Sequence, residues 1–533
     1  MAVLGDSLFY DLLITVVLVL VSLYYYFTAK FDYWKDRGVA FVKPIPVFGN
    51  LKDQLLRTKT LGQVYSDIYG NLKGNRFGGF FELREPVLMV LDPNLVETVL
   101  IKDFRHFYNR PVLMDPKNDP LTANLFNLEG TVWKNLRNKL TPTFTTGKLK
   151  TMTEQIFDSA DKLIEHIADE SKQDKNVDSK SVTSSFTLEV IASVAFGLQI
   201  DKNSEVGKNF RELVEGLLKP SITQTFKILL ILYASRLANL LKIKQFPKRL
   251  QDAIVFIVRD SLDYRKKNNV KRNDFIQQLL NVRQQELEGN LKLNLEHEED
   301  DLIDQMKYVP KEEEAETSED KIFMTDMHIT AQALTFLLAG LETVSSTINF
   351  ALFTLAENPD VQAKLHEEID HVMKNHKNTW SYQAVKEMVY LEEILQESMR
   401  MYPQIPGIFR ICTEDYQIPD SDVVIKKGTR VIIPVGAIMN DPNNYDSPEV
   451  FDPSRFQDNF FKPNGKFLPF GDGPRVCIAM RFVILEMKVC LAKIMAEFEV
   501  KTSDKMKTPL VFEGASFGPT PVGGFWFQFE KRK

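Results

Sequence analysis

Apolar residues fall into several distinct patterns along this chain, and each predicts a different element. From Leu8 to Phe27 they run for twenty residues with Asp11 as the one charge. Wound as a helix, that run is roughly 30 Å long, about the hydrocarbon thickness of a bilayer. Phe80 to Val90 alternates and carries strand formers, so a small sheet begins there. From about Lys148 to Leu280 the spacing is helical with few breakers. A second long helix opens at Thr325, which can cap it, and runs to about Glu357 ahead of Pro359, a length of roughly 50 Å. The last pattern is a break. Pro469, Gly471, Gly473 and Pro474 crowd one tight loop, and apolar residues resume at helical spacing from Ile478. The expected fold is mainly α with a smaller β-rich lobe, preceded by a single N-terminal transmembrane helix.

The polar flanks decide what the first helix is. A cleavable signal would want basic residues before the apolar run and small ones after it. Here Asp6 and Asp11 mark its start, and Tyr24-Tyr-Tyr-Phe27 ends it. Lys30, Lys35 and Arg37 follow, which by the positive-inside rule puts the body in the cytosol. The reading is a retained anchor at residues 1–28, with the tyrosine cluster, Tyr33 and Trp34 at the interface. A stiff proline-rich hinge occupies 29–50, centred on Lys43-Pro-Ile-Pro-Val-Phe-Gly49, and a catalytic body fills 51–533. Phe226 to Tyr233 and Leu237 to Ile243 are unusually apolar. They suit either core helix or a substrate entrance dipping into a bilayer surface.

Composition narrows the function classes. Of 533 residues, 44% are hydrophobic and 38 are Phe, enough for a large core and an apolar pocket. Three cysteines, Cys412, Cys477 and Cys490, lack regular spacing, which argues for a reducing compartment over a disulfide framework. The histidines form no metal-ligand pair and there is no CxxC, so no zinc site is suggested. A net charge of −6 gives no reason to invoke nucleic acid. Glu286 to Asp320 carries fourteen acidic residues against three lysines, a local charge of −11, so the remainder stands at +5. That run reads as a solvated surface excursion at about 286–320. The mildly basic remainder suits an anionic membrane surface or an acidic protein partner.

Cys477 lies where loop becomes helix, a position whose free N–H groups and positive dipole end favour a thiolate, with Arg475 adding charge nearby. Backbone glycines let another planar group approach closely, and one available thiolate is a soft ligand for a metal centre. Phe470-Gly-Asp-Gly473-Pro-Arg475-Val-Cys477-Ile-Ala resembles the haem-binding loop of cytochromes P450. The resemblance implies that family's fold, haem b (iron protoporphyrin IX) as cofactor, and Cys477 as axial ligand of the iron, pushing electron density that favours O–O cleavage. Arg475 and Phe470 belong to the same loop. The family usually has Gly two residues after the cysteine, where this chain has Ala479.

Other segments extend the resemblance. Trp133-x-x-x-Arg137 implies a propionate contact, with Arg410 in Gly407-Ile-Phe-Arg and Arg110 in Tyr108-Asn-Arg-Pro as further ones. Ala339-Gly-Leu-Glu342-Thr343 is similar to the family's distal motif, implying Glu342 and Thr343 as a proton relay to bound dioxygen. From the residues alone, Thr343 would bond back to the Ala339 carbonyl, and Gly340 makes room for a ligand against the helix. Glu397-Ser-Met-Arg400 and Phe451-Asp-Pro-Ser-Arg455-Phe imply a buried structural triad of Glu397, Arg400 and Arg455. Phe126, Ala339, Ile408 and Phe517 match segments that line the substrate pocket. Leu140-Thr-Pro-Thr-Phe and Lys271-Arg-Asn-Asp-Phe275 resemble insect microsomal members associated with xenobiotic oxidation. The implied activity is monooxygenation of lipophilic xenobiotics, plant toxins, insecticides, lipids or hormones at the endoplasmic reticulum membrane. Implied partners are NADPH-cytochrome P450 reductase, a microsomal b-type cytochrome, O2 and a membrane.

Three competing readings are weaker. Gly514-Ala-Ser516-Phe-Gly518 fits a hydrolase elbow, but Pro519 and Pro521 forbid the following helix and the last histidine is His376. A haem-thiolate isomerase or dehydratase could dispense with Glu342 and Thr343. A sequestering protein would keep the pocket with poor haem loading. No P-loop or complete dinucleotide fingerprint is present, which leaves NADPH oxidation to a separate protein.

Overall fold

The computed structural model describes residues 2–111, 116–198, 235–288, 324–458, 461–516 and 518–532, with four isolated positions between 223 and 231. Phe517, most of the Phe226–Tyr233 stretch and nearly all of the acidic run lie outside the described residues.

The body is organised around the helix Asp326–Glu357. Thr325 caps it as expected, its hydroxyl accepting the His328 amide at 3.2 Å. It is buried along most of its length because helices pack on it from several sides, among them Ser179–Ile191, Met480–Glu497, Val389–Met401 and Lys248–Asn268. Gly340, expected to make room for a ligand, faces the Ser179–Ile191 helix instead. A Cβ there would come within 2.9 Å of the Ile191 side chain, so the glycine serves close helix packing.

The β-rich lobe is a four-stranded sheet in the order Phe77–Glu82, Glu85–Val90, Arg430–Ile433, Ile408–Ile411. The middle pair runs parallel and the outer pairs antiparallel. A small sheet does begin in Phe80 to Val90, as a hairpin turning at Leu83-Arg84. Both of its faces are largely covered, so the burial does not alternate. Strand Ile408–Ile411 does alternate, and places Arg410 on its buried face opposite Val431. A three-stranded sheet, Val177–Asp178, Trp526–Lys531 and Phe498–Thr502, closes the far side of the helical body.

The N-terminal helix Ala2–Thr28 is strongly apolar, and its apolar stretch from Phe9 to Thr28 buries nothing against the body apart from its last turn, where Arg84 lies over Tyr26. Asp326–Glu357 is also apolar enough to cross a membrane, but 67% of its window is buried, as befits a core helix. Trp34, expected at the membrane interface, is fully buried, with its indole N–H donating to the Phe80 carbonyl at 3.2 Å. Leu237, Leu240 and Leu241 are exposed while Ala238 between them is buried, so this segment packs by one face and leaves an apolar one open. Glu286 is not part of a solvated run either. Its side chain is almost buried, pairing with Lys139 at 2.6 Å and accepting the Met324 amide.

Candidate active site

Cys477 sits between a single 3-10 turn, Gly473–Arg475, and the helix Met480–Glu497. The loop is fixed from within. Asp472 caps the turn by accepting the Gly473 amide, and the Cys477 amide donates to the Phe470 carbonyl at 3.0 Å. Gly473 holds φ +67°, and a Cβ there would run into the Leu100 carbonyl, so only glycine lets the loop lie against that turn. Ala479, where the resembling loop has Gly, has φ −92° and ψ 9°, a conformation open to any residue. The alanine therefore strains nothing in the backbone.

Arg475 was expected to supply charge to the thiolate, but its donors are already engaged. It gives hydrogen bonds to the carbonyls of Tyr108 (3.0 Å), Leu125 (3.2 Å) and Leu128 (2.8 Å), and its guanidinium lies 3.9 Å from the Trp133 ring centroid. It ties segment 108–128 to the cysteine loop. Burial pushes the Cys477 thiol up, while the Ala479 amide, Arg137 and Arg110 pull the other way. A cysteine in this setting gives up its proton as a metal cation joins it.

Four guanidiniums form one cluster beside this cysteine, Arg137 and Arg110 acting on it directly and Arg410 and Arg475 acting on those two. Arg137 and Trp133 lie on the buried face of the helix Gly130–Leu140, one turn apart. Arg410 comes from the sheet and Arg110 from the preceding loop, where it stacks 4.2 Å over the Phe126 ring and donates to the Phe126 carbonyl. Burial pulls Arg110 and Arg137 down to about 10 and Arg410 to about 9, with the Arg110 charge lowering the other two. Arg475 is lowered too, by burial and then by its three neighbours. Glu129 weakly offsets the positive charge at Arg475, while burial raises the Glu129 carboxyl itself. Among the described residues, Trp133 Nε1, Arg137 Nε and Nη2, and Arg410 Nε have no hydrogen-bond partner. Buried donors aimed beside one cysteine suit a group that carries two carboxylates and an iron, which is the chemistry of haem. The residues fit that cofactor.

On the central helix Ala339 is exposed and Thr343 partly so, although that helix is buried along most of its length. Thr343 Oγ1 donates to the Ala339 carbonyl at 2.6 Å, the local bond its type predicts. Glu342 is turned toward the neighbouring helix, where it pairs with Lys180 at 2.5 Å and accepts from Ser346 at 3.2 Å. Lys180 had no signal in the sequence, because it lies 162 positions away on a different helix. Ile408 reaches the cysteine loop: a Cβ on Gly471 would sit 4.0 Å from its Cδ1. Phe126 is half exposed. Of these three, the described contacts tie Ile408 to the cysteine loop and Phe126 to Arg110, while Ala339 lies exposed on the central helix.

Behind the loop, Glu397 and Arg400 are fully buried and doubly bonded, at 2.7 and 2.9 Å, and Arg455 Nε approaches Glu397 at 3.4 Å. The Asp452 amide also donates to Glu397, so the triad ties the segment before the loop to the helix Val389–Met401. Ser516 donates to the Glu513 carbonyl at 2.7 Å in a stretch without a following helix, unlike a nucleophile elbow. All three cysteines are free, with Cys412 and Cys490 buried.

A family model described as Cytochrome P450 matches residues 40–306 and 292–526. Curated relatives match over nearly their full length. They include the probable cytochrome P450 6a14 of Drosophila melanogaster, 34% identical over 94% of this chain and 96% of its own. Cytochrome P450 6j1 of Blattella germanica is 34% identical over 98% and 99%, and cytochrome P450 6B1 of Papilio polyxenes is 33% identical over 98% and 99%. Similarity that runs through helix, hairpin and cysteine loop alike means that the chain belongs to the cytochrome P450 family, whose members are haem-dependent monooxygenases.

Proposed function

We propose that this monooxygenase is a membrane-anchored enzyme of the endoplasmic reticulum, its catalytic body facing the cytosol, that oxidises lipophilic xenobiotics with electrons from NADPH-cytochrome P450 reductase. The observation that carries it is the set of unpartnered buried donors around Cys477, within a chain similar throughout to insect relatives. The apolar N-terminal helix followed by Lys30, Lys35 and Arg37 supports the membrane and orientation reading. A microsomal b-type cytochrome is a second candidate electron donor.

In this reading the Cys477 thiolate would ligate the haem iron, and Trp133, Arg137, Arg410 and Arg110 would hold the propionates. Arg475 braces the loop rather than reaching the cofactor, and Phe470 packs beside it. Bound haem supplies dioxygen activation, so that one oxygen atom enters an apolar substrate and the other leaves as water. Thr343 carries a hydroxyl on the cleft side, where it can hold a proton donor in place once its bond to Ala339 is exchanged. Glu342 can pass protons to that hydroxyl after parting from Lys180. Phe126, Ala339 and Ile408 would offer apolar side chains that exclude water from the substrate, and Phe517, outside the described residues, is the fourth candidate contact. Glu397, Arg400 and Arg455 brace the loop for cofactor insertion.

The test is reconstitution of purified protein with the reductase and NADPH, screened against plant toxins, insecticides and lipophilic hormones. NADPH-dependent oxygenated product from foreign lipophiles is the expected result. Product from hormones alone, or none without a different electron donor, would overturn the substrate or the partner assignment.

A further inference from the structure

The apolar N-terminal helix does not pass into a free tether. From Tyr25 to Val39 the backbone closes turn upon turn: Ala29 donates to Tyr25, Phe31 to Thr28, Tyr33 to Lys30, Asp36 to Asp32 and Val39 to Trp34, each at 2.9–3.0 Å. Trp34 then plugs the chain into the sheet, where its indole covers Gly79 so closely that any Cβ there would collide with it. Phe31 packs 5.3 Å from Phe81 on the same strand. Two contacts reach back from the hairpin turn. The Arg84 guanidinium lies 3.9 Å over the ring of Tyr26, which is still within the apolar helix, and Glu85 pairs with Lys30.

The surface beside this junction is apolar. Gly49 bridges to Glu82 at the end of the hairpin and to Ile45, so the turn 45–49 lies against the same corner. Ile45 and Val47 are nearly half exposed there. Val47 also holds φ 73°, a conformation that disfavours a β-branched residue and keeps its side chain on display. Tyr24, Tyr25 and Tyr26 ring the end of the helix, as aromatic residues do at a lipid–water boundary.

We propose that the N-terminal helix and the catalytic body are one rigid unit, clamped by Arg84 on Tyr26, Glu85 on Lys30 and the buried Trp34. The clamp holds the corner carrying Ile45 and Val47 against the lipid surface that the helix enters. The occupant of that corner is lipid because a helix with no buried residues in its apolar window leaves the body at the same place. The inference rests on the reading of this helix as a membrane anchor, and it fixes the tilt of the body instead of leaving it to swing.

The experiment uses the haem-loaded full chain in nanodiscs of phosphatidylcholine and phosphatidylserine, with spin labels on Leu13→Cys and Lys52→Cys. Buried Cys412 and Cys490 and ligating Cys477 leave the two introduced thiols as the sites of labelling. A single narrow distance distribution is expected, broadening at least twofold in Arg84→Ala/Glu85→Ala while the haem spectrum stays unchanged. A broad distribution in the parent, or an equally narrow one in the double variant, overturns the clamp. A label on Val47→Cys should be reached by lipid-soluble oxygen more than by an aqueous nickel chelate, and the reverse removes the lipid-facing corner. A chain that stays out of the nanodiscs altogether brings down the anchor reading and this proposal with it. Turnover with reductase in detergent would report on the proposed activity independently.

Discussion

The two sides of the proposed site, a cysteine wall and a central-helix wall, are built to opposite specifications. On the cysteine side nearly every polar group of the loop and its brace is committed. Arg475 has three carbonyls, Cys477 N–H has Phe470, and Glu397 has Arg400, Arg455 and the Asp452 amide. On the central-helix side the chemistry-bearing groups are lightly held. Thr343 has one local bond, and Glu342 has a partly exposed lysine. A ligand must keep one geometry through every turnover, whereas a proton relay must exchange partners within each one. Rigidity and looseness are therefore both functional, and each can be attacked separately.

The largest expected effect comes from the rigid wall. Cys477→Ala should lose the red-shifted Soret band of the reduced carbon monoxide complex and drop oxygenated product to background. Substantial residual turnover would reject the ligand assignment. Next is Glu397→Ala, which leaves the buried Arg400 charge without its carboxylate, held only by the Met439 and Pro448 carbonyls and Asn440 Oδ1. Breaking such a buried set costs about 3–5 kcal/mol, read by denaturant unfolding and by a lower yield of haem-loaded protein. A variant that unfolds at the parent midpoint with full haem content would show that the triad does not brace the loop.

The same contrast explains what could be read from sequence. The rigid wall is encoded locally: two glycines, two prolines and a helix start lie within a dozen residues of Cys477, and the Thr325 cap is set by the residue itself. What escaped depends on distant partners or on missing turn signals. Nothing near Trp34 announces that a sheet 46 positions on will bury it. The hairpin was hidden because its turn uses Leu83 at φ 56° and Arg84, with no glycine, asparagine or proline. Gly340 read as ligand room because Ile191 could not be placed against it. Lys180 and the engaged donors of Arg475 were out of reach for the same reason. Resemblance carried the propionate arginines, whose spacing alone did not distinguish them from surface residues.

On the loose wall a smaller and different loss is expected. Thr343→Ala removes a hydroxyl but no ligand, and water can take its place. Reductant consumption should continue while product falls, by about a hundredfold at most, the low end for a positioned proton donor. The ratio of product to NADPH consumed, with peroxide measured alongside, checks this. An unchanged ratio would take Thr343 out of the relay, and a loss of the thiolate spectrum would mean the two walls are not separable as argued.

The smallest effect probes Asp472, the buried acid of the cysteine loop itself. Burial pushes Asp472 up to about 6, Glu97 adds to that, and the Gly473 amide opposes it. The unfolded carboxyl titrates near 4, so between about pH 4 and 6 the folded state holds a proton that the unfolded state has lost. Stability from this group is full below that window and declines as pH rises through it. Asp472→Asn keeps an oxygen to accept the Gly473 amide and has nothing to titrate. The parent Tm should therefore fall relative to the variant as pH rises from 4.5 to 6.5, with the two curves running parallel above it. Curves parallel throughout would mean that the loop tolerates the charged form, and that the cysteine wall is less tightly sealed than its hydrogen bonds imply.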